Sequence, residues 1–252
     1  MDIQTKINLE QPAPKKKQKR LDEPVSLFEH LGELRKRLTY ALIAVTIGGV
    51  ACYSAVDRVI RDLAKPIGKL YFTGPVEAFW CRIKIAFFLG LLASLPIVLF
   101  QVWSFIQHGL LPKEKRFILS VTAVSFLLFL GGAAFCYFFV IPTGVKFLLA
   151  YGSDTLVPMI TISRYLSFVT TLTVSFGLIF ELPVAVGFLT KIGIFSSKML
   201  KEQWRISVII IFIVAAALTP GPDVFSQLVM AVPLLVLYGV SIFVAMSIER
   251  RK

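Results

Sequence analysis

Residues 224–248 read VFSQLVMAVPLLVLYGVSIFVAMSI, a run of 25 residues that contains no charged side chain. At about 1.5 Å per residue, an α-helix of this length covers the hydrocarbon core of a bilayer, which is about 30 Å thick. In water such a helix would be apolar on all sides and would have to be buried completely. The segment therefore predicts a transmembrane helix.

Four further charge-poor runs have a similar length, at residues 38–56, 83–106, 117–140 and 165–189. A sixth run, residues 207–218, has only about a dozen residues and looks too short to cross. The positive-inside rule favours counting it. Six spans place 19 Lys and Arg residues on the inner side and 6 on the outer side, whereas five spans give 16 against 9. The sequence therefore predicts an all-α membrane protein of six transmembrane helices with both termini cytoplasmic.

The predicted boundaries divide the chain into a tail and one membrane domain. Residues 1–24 are polar and basic, and we expect a disordered cytoplasmic tail there. Residues 25–252 are predicted to form a single domain, whose first helix starts at a capping box from Ser26 to Glu29. Its spans are expected at residues 36–56, 80–107, 116–140, 164–190, 205–219 and 224–248. The long outer connections, 57–79 and 141–164, are expected to contain short helices.

Composition and motifs exclude several functions. The net charge of +12 could suit nucleic acid. However, the basic residues gather beside the spans, where they orient helices and meet anionic lipid, so we expect no nucleic-acid partner. Cys52, Cys81 and Cys136 lack CxxC spacing and are interpreted as packing thiols. The chain has no phosphate loop, zinc-protease motif or nucleophile elbow, and its histidines, His30 and His108, lie far apart. We therefore expect no enzyme activity, metal or cofactor.

One acidic residue lies deep inside a predicted span. Glu181 is surrounded by the apolar sequence VSFGLIFELPVAV, with no basic residue nearby. An acid at a span centre costs roughly 2.5–3.5 kcal/mol, so it must face protein or water, or stay protonated. Pro183 cannot donate to the carbonyl of Ile179, which predicts a kink beside the acid. We expect Glu181 on a concave face, wetted from the cytoplasm and shielded from lipid; a carboxyl group hydrogen-bonded within the bundle is the alternative.

Two other acids, Glu33 and Glu114, lie at predicted cytoplasmic membrane edges. Each stands beside a basic run, LRKR and KR respectively. Spacing alone favours solvated carboxylates in local ion pairs, which are worth less than about 1 kcal/mol. Phe105, in the sequence QVWSF, is by itself an ordinary interfacial aromatic residue.

Several motifs occur in a fixed order between residues 26 and 247. They read HLGELRKRL at 30–38, PVEAF at 75–79, PIVLFQVWSFI at 96–106, EKR at 114–116, FGLIFELPV at 176–184 and TPGPDVFSQ at 219–227. In this order they resemble the N-terminal HLxELRxRL signature, the second-helix and first-loop block, the fourth-helix motif and the last outer turn of the TatC family. Gly221 departs from the usual Thr-Pro-Pro-Asp run of that turn.

The resemblance implies a receptor for twin-arginine signal peptides, built as a concave, cupped bundle of six helices. It implies a peptide site on the residues matching Glu33 and Glu114, with Arg35 and Phe105 nearby. Physically this is reasonable, because each carboxylate can accept a bidentate guanidinium. It also implies short fifth and sixth helices, which would thin the bilayer locally and account for the short run.

The resemblance also implies partners and a location. These are single-span TatA and TatB proteins, signal peptides of folded cargo, membrane lipid and further copies of the chain, in an inner membrane that supplies a proton-motive force. We expect Thr219 and Gln227 to dock a partner helix, because polar groups at lipid depth gain from hydrogen-bonding partners. Pro75, Glu77 and Asp223 are expected in an outer cap or turn.

Two other functions stay open from the sequence. A proton-coupled small-solute transporter would use Glu181 as its proton carrier, and would need a midplane cavity and paired broken helices. An intramembrane enzyme would need a second catalytic group facing Glu181, and the sequence offers no His or Asp there. A receptor predicts instead a broad concave face and dependence on the cytoplasmic acids.

Overall fold

The fold is almost entirely α-helical, as predicted. The computed structural model describes residues 27–68, 70–107, 115–150, 159–218 and 224–250. Within them lie ten α-helices: α1 Leu27–Ala51, α2 Val56–Ala64, α3 Pro75–Gln107, α4 Lys115–Phe135, α5 Ile141–Leu149, α6 Ile162–Phe180, α7 Leu182–Lys191, α8 Ser197–Glu202, α9 Trp204–Leu218 and α10 Val224–Glu249. A 3-10 helix, Tyr53–Ala55, precedes α2, and a π-helical turn, Cys136–Val140, joins α4 to α5.

Four helical segments of the described chain are long and apolar enough to cross a membrane, namely Pro75–Ile106, Leu119–Phe147, Ile162–Lys191 and Gln227–Glu249. The pair Leu31–Ala51 and Tyr53–Ala64, bent by 49°, provides a fifth when counted as one span. The sixth apolar helix, α9, has only 15 residues. Each of the six predicted apolar runs is therefore helical.

Helix boundaries differ from the predicted spans in informative ways. The helix that contains the second predicted span, 80–107, begins at Pro75, because proline suits the first helical position, where no amide hydrogen is needed. The first helix ends at Ala51, before the predicted 56. α10 has 26 residues, so the short sixth helix implied by the family resemblance is wrong, and its 25 charge-free residues explain the length. The short fifth helix is confirmed.

Helix α1 packs along α3 in the antiparallel direction. Their backbones meet at Gly90, where an added Cβ would lie 2.4 Å from both the amide nitrogen of Gly49 and the carbonyl oxygen of Val45. Membrane helices approach this closely where one side lacks a side chain. The contact places α1 at an edge of the bundle, with Leu42 and Ile47 among its exposed residues.

The main core is centred on α6. Its buried residues Leu166, Val169 and Phe176 pack with residues of α3, α9 and α10, as well as the π-helical turn. A second cluster surrounds Trp103 of α3 and Phe188 of α7, whose rings meet edge to face at 5.4 Å. These two clusters fix α3, which carries Glu77, and the α6 and α7 helices on either side of Glu181.

The two long connections contain the expected short helices, α2 and α5, at what we call the cap end of the molecule. Tyr71 joins the connections, because its amide donates to the carbonyl of Ile160 at 3.1 Å and its carbonyl accepts from the amide of Ile162 at 2.8 Å. The hydroxyl of Tyr165 donates to the carbonyl of Leu63 at 2.8 Å. Hydrogen bonds thus tie the start of α6 to the first connection.

Candidate functional site

Glu33, Arg37 and Gln101 form a cluster at the end of the molecule where α1 begins and α3 ends. We call it the Glu33 cluster. Arg37 donates to Oε1 of Glu33 from Nε at 2.9 Å and from Nη2 at 2.6 Å. Its remaining nitrogen, Nη1, donates to Oε1 of Gln101 at 3.2 Å. The guanidinium therefore links two residues of α1 to the second span.

The Glu33 cluster is partly withdrawn from water. The side chains of Arg37 and Glu33 are 16% and 21% exposed. Residues four apart lie on the same face of a helix, so α1 itself brings the two charges together. Charge-assisted hydrogen bonds are stronger than neutral ones, and partial burial reduces their screening by water. The local ion pair suggested by the spacing is confirmed, but the carboxylate is not fully solvated.

The other predicted site residues of this region are placed differently. Phe105 follows Gln101 by one helical turn on α3 and is half-buried. Arg35 is exposed, and a residue two positions from Glu33 does not share its helix face. Glu114 lies outside the described residues, so its distance from Glu33 stays a prediction.

Sequence reasoning missed the roles of Arg37 and Gln101. The i,i+4 spacing of Glu33 and Arg37 was a usable signal, because such pairs are neighbours on any helix. Gln101 carried a weaker signal, as a long polar side chain near the end of an apolar span. Its contact with Arg37 depends on the packing of α1 against α3, which the sequence pattern did not specify.

Glu181 lies at a break between α6 and α7. The first helix ends at Phe180 and the second begins at Leu182, as the position of Pro183 predicts. The amides of Val184 and Ala185 both bond to the carbonyl of Glu181, at 3.0 and 2.9 Å. The break is slight enough for Ile162–Lys191 to continue as one span.

The carboxyl group of Glu181 is enclosed by protein. Neither oxygen is accessible to solvent, and neither has a hydrogen-bond partner within normal geometry in the described part of the chain. Ser125 approaches the acid, and its oxygen accepts a bond from Nε1 of Trp103 at 2.8 Å. The surrounding protein shields both oxygens, and the predicted wetting of this group from the cytoplasm stays a prediction.

An open groove of about 890 Å³ runs between α1, α3 and α6. One wall is apolar, with Leu42, Phe87 and Leu91, and the α6 wall carries hydroxyl groups, including that of Thr170. Lys84 lines the groove, and its Nζ lies 3.3 Å from the hydroxyl oxygen of Ser167. A groove open along one side matches the broad concave face expected of a receptor better than an enclosed solute cavity.

Glu77 fastens the cap end. Its Oε2 accepts from the amide and hydroxyl of Thr73, at 2.7 and 2.8 Å, and its Oε1 accepts from the amide of Ser163 at 3.1 Å. A glutamate in the first turn of a helix often accepts a hydrogen bond from a backbone amide that precedes the helix. Pro75 is the first residue of that turn. The carboxylate also meets the first turn of α6, where an anion is favoured.

The remaining predicted residues lie near the connection of α9 to α10. Gln227 donates from Nε2 to the carbonyl of Phe212 at 3.0 Å, so α9 already provides one partner for its amide. Thr219 and Asp223 lie outside the described residues.

The three cysteines are free thiols, two of them buried. No group of three or more His, Cys, Asp or Glu side chains in the described ranges could hold a metal ion.

Comparison with known proteins decides the family. Residues 29–233 match the family model described as "Sec-independent protein translocase protein (TatC)". The chain belongs to the TatC family. The TatC protein of Carboxydothermus hydrogenoformans is 45% identical over 235 residues, which cover 92% of this chain and 97% of the relative. The TatC protein of Aquifex aeolicus is 39% identical over 235 residues, covering 90% and 97%.

A solved structure agrees with this assignment. The crystal structure of a twin-arginine translocase receptor, TatC, matches with a TM-score of 0.77 and 36% sequence identity, covering 88% of this chain and 100% of that one. The cupped six-helix bundle expected from the motifs fits this family. The chain is therefore a multi-pass membrane component of a Sec-independent protein translocase, and the solute-transporter alternative is not favoured.

Proposed function

We propose that this TatC-family protein binds twin-arginine signal peptides at its cytoplasmic face. The observation that carries the proposal is the Glu33 carboxylate, which accepts two N–H donors of a guanidinium in a partly buried setting. A carboxylate that already binds the guanidinium of Arg37 has the geometry to bind an arginine of the peptide in its place. Glu114 supplies the second carboxylate in this proposal, while Arg35 and Phe105 contact the peptide beside the arginines.

The proposed translocase works with single-span TatA and TatB partners, or one TatA serving both roles, and with further copies of this chain. It lies in an energy-transducing inner membrane with both termini in the cytoplasm. The protein itself catalyses no reaction and holds no cofactor, and the proton-motive force drives the export of folded cargo. The uneven distribution of basic residues supports this orientation.

Signal-peptide binding is tested by photo-crosslinking a twin-arginine peptide to the full chain. Glu33→Ala and Glu114→Ala should each weaken crosslinking by more than about tenfold, since removing one partner of a desolvated charge pair costs about 2–5 kcal/mol. Glu→Gln should resemble Glu→Ala, because it deletes charge at nearly constant shape, and Glu→Asp should retain more binding. A twin-lysine peptide should crosslink weakly to the unaltered chain.

Glu202→Ala is the matched control, because that exposed acid of α8 pairs only loosely with Lys198 at 3.9 Å. It should leave crosslinking unchanged. Undiminished crosslinking in the Glu33→Ala, Glu114→Ala double variant would rule out the proposed site.

We further propose that the region from Thr219 to Gln227, together with α9, docks the transmembrane helix of a partner. The exposed apolar side chains of α9 and the start of α10, such as Ile213 and Leu228, support this surface. Cysteines placed there and on a TatA or TatB helix should form disulfides in a background without the native cysteines. Ile97→Cys, on the exposed side of α3, is the control. Equal crosslinking at Ile97 would place the docking site elsewhere.

A further inference from the structure

Arg37 occupies the carboxylate that the proposed function assigns to a ligand arginine. We propose that Arg37 is an internal competitor, which holds Glu33 until a signal peptide displaces it. This inference rests on the proposed function, because it concerns the affinity of that same site. It assigns a role to two residues, Arg37 and Gln101, that the motif-based site does not include.

The resident contact has the chemistry expected of the ligand. Two nitrogens of one guanidinium, Nε and Nη2, donate to Oε1 of Glu33 at 2.9 and 2.6 Å. An incoming arginine would offer the same planar set of donors, whereas a lysine offers one compact ammonium. A ligand guanidinium that pairs with both oxygens of the carboxylate needs Oε1, which Arg37 already holds with two N–H donors, so bidentate binding of the ligand requires Arg37 to move.

Two features hold Arg37 in place. The i,i+4 spacing on α1 keeps it beside Glu33 without any loop ordering. On the neighbouring helix α3, Oε1 of Gln101 accepts a hydrogen bond from the third nitrogen of Arg37, Nη1, at 3.2 Å. An exposed i,i+4 pair alone would be weak. The link to α3 and the 16% exposure of the Arg37 side chain make this pair more persistent than a surface pair.

Competition of this kind lowers apparent affinity by a common factor. The apparent dissociation constant equals the intrinsic one divided by the fraction of molecules in which Glu33 is accessible. The factor is the same for twin-arginine and twin-lysine peptides, so Arg37 does not change their ratio. Arg37 raises the apparent dissociation constants of both peptides. The twin-lysine peptide, which has the weaker intrinsic affinity, is then too weakly held to stay bound.

The test measures binding of a fluorescent twin-arginine peptide to the full chain in nanodiscs. Arg37→Gln should tighten binding by about three- to tenfold, since it removes the resident guanidinium from Glu33 in every molecule. Arg37→Lys and Gln101→Leu should tighten it by smaller factors, because each weakens the resident contact without removing a positive charge. A twin-lysine peptide should gain by the same factor in each variant.

The controls separate this inference from simpler explanations. Arg82→Gln removes an exposed arginine that pairs with Asp57 at 3.1 Å, and should leave binding unchanged. If Arg37→Gln tightens binding while Arg37→Lys and Gln101→Leu do not, then Arg37 weakens binding only by repelling the positively charged peptide, and the competitor inference is wrong. Weaker binding in all three variants would make Arg37 a support for Glu33 and overturn it.

A double-mutant cycle separates this inference from the proposed function. In a Glu33→Ala background, Arg37→Gln should give no further tightening, because the resident contact to Glu33 is already absent. If Glu33→Ala leaves binding intact, the proposed peptide site itself is wrong. If Glu33→Ala abolishes binding but Arg37→Gln never tightens it, the peptide site stands and the competitor does not.

Discussion

The carboxyl oxygens of Glu181 are buried, and neither makes a hydrogen bond of normal geometry within the described ranges, although Ser125 approaches them. A buried polar group without a partner destabilises a fold by about 1–3 kcal/mol. Such a group is retained where function requires it more than stability does. Glu181 lies at the break between α6 and α7, so the destabilising group is located where the helix of the fourth span, Ile162–Lys191, is interrupted.

Substitutions of Glu181 should therefore separate stability from export. Glu181→Leu should raise the free energy of unfolding by about 1–3 kcal/mol, because it removes the unsatisfied group, and should reduce export of a folded twin-arginine reporter. Glu181→Gln should preserve most export, since an amide retains hydrogen bonding. Thermal unfolding and reporter export measure the two effects. Loss of export in Glu181→Gln with intact peptide binding would favour a proton carrier, because an amide does not titrate.

The sequence predicted the identities of the chemically interesting residues better than their surroundings. The conflict between Glu181 and its apolar neighbours was visible in the sequence, as was the break beside Pro183. Ser125, which approaches the carboxyl group, accepts a hydrogen bond from Trp103, and these residues lie on different helices that meet only through packing. The partner of Glu33 was predictable from helical spacing, but the contribution of Gln101 was not.

At the scale of helices, the contact of α1 with α3 depends on the absence of side chains. An added Cβ on Gly90 would lie 2.4 Å from backbone atoms of α1, a distance that real Cβ atoms essentially never show. Backbone cannot rotate away as a flexible side chain can. The same contact sets the approach of Arg37 to Gln101, about three turns along α1 from the glycines.

Gly90→Ala should separate α1 from α3 and lower the free energy of unfolding by about 1–3 kcal/mol, as overpacking of an interface does. Gly131→Ala is the matched control, because a Cβ there meets no atom within 4 Å. It should be neutral or stabilise α4 by up to about 1 kcal/mol, through the higher helix propensity of alanine. Thermal unfolding of the purified protein compares the two. Equal stability of both variants would show that α1 accommodates the methyl group.

Hydropathy was sufficient to predict the helices, because each span must satisfy its backbone hydrogen bonds internally. Boundaries were less predictable, since apolar residues continue past the membrane edge into packed connections. At the start of α3, Glu77 contacts Thr73 four residues earlier and also Ser163, which is 86 residues away in the chain. A pattern confined to one segment does not contain that information.

For the whole molecule, Glu77 links the first long connection, before α3, to the start of α6. One oxygen serves Thr73 and the other serves Ser163, so each half of the carboxylate holds a different segment. The backbone pairing of Tyr71 with Ile160 and Ile162 lies beside it. These contacts keep the cap end in one arrangement while the opposite end carries the proposed peptide site.

Glu77→Gln should loosen the cap end, because an amide has one acceptor oxygen where the carboxylate has two. The amide of either Thr73 or Ser163 should then exchange hydrogen faster, and the melting temperature should fall. Asp57→Asn is the control, since it breaks the exposed pair of Asp57 with Arg82, and such pairs contribute little. Hydrogen-exchange mass spectrometry measures the amide exchange in both variants, and thermal unfolding measures their melting temperatures. Unchanged exchange at Thr73 and Ser163 would show that the backbone pairing suffices.

The 15 residues of α9 measure only about 22 Å along the helix axis, against a hydrocarbon thickness of about 30 Å. Its neighbour α10 has 26 residues, so two adjacent helices differ in the bilayer thickness that they match. Lipids with short or unsaturated acyl chains relieve such a mismatch with the least elastic deformation. The protein should therefore collect these lipids beside α9 and carry an annulus whose composition differs from one flank to the other.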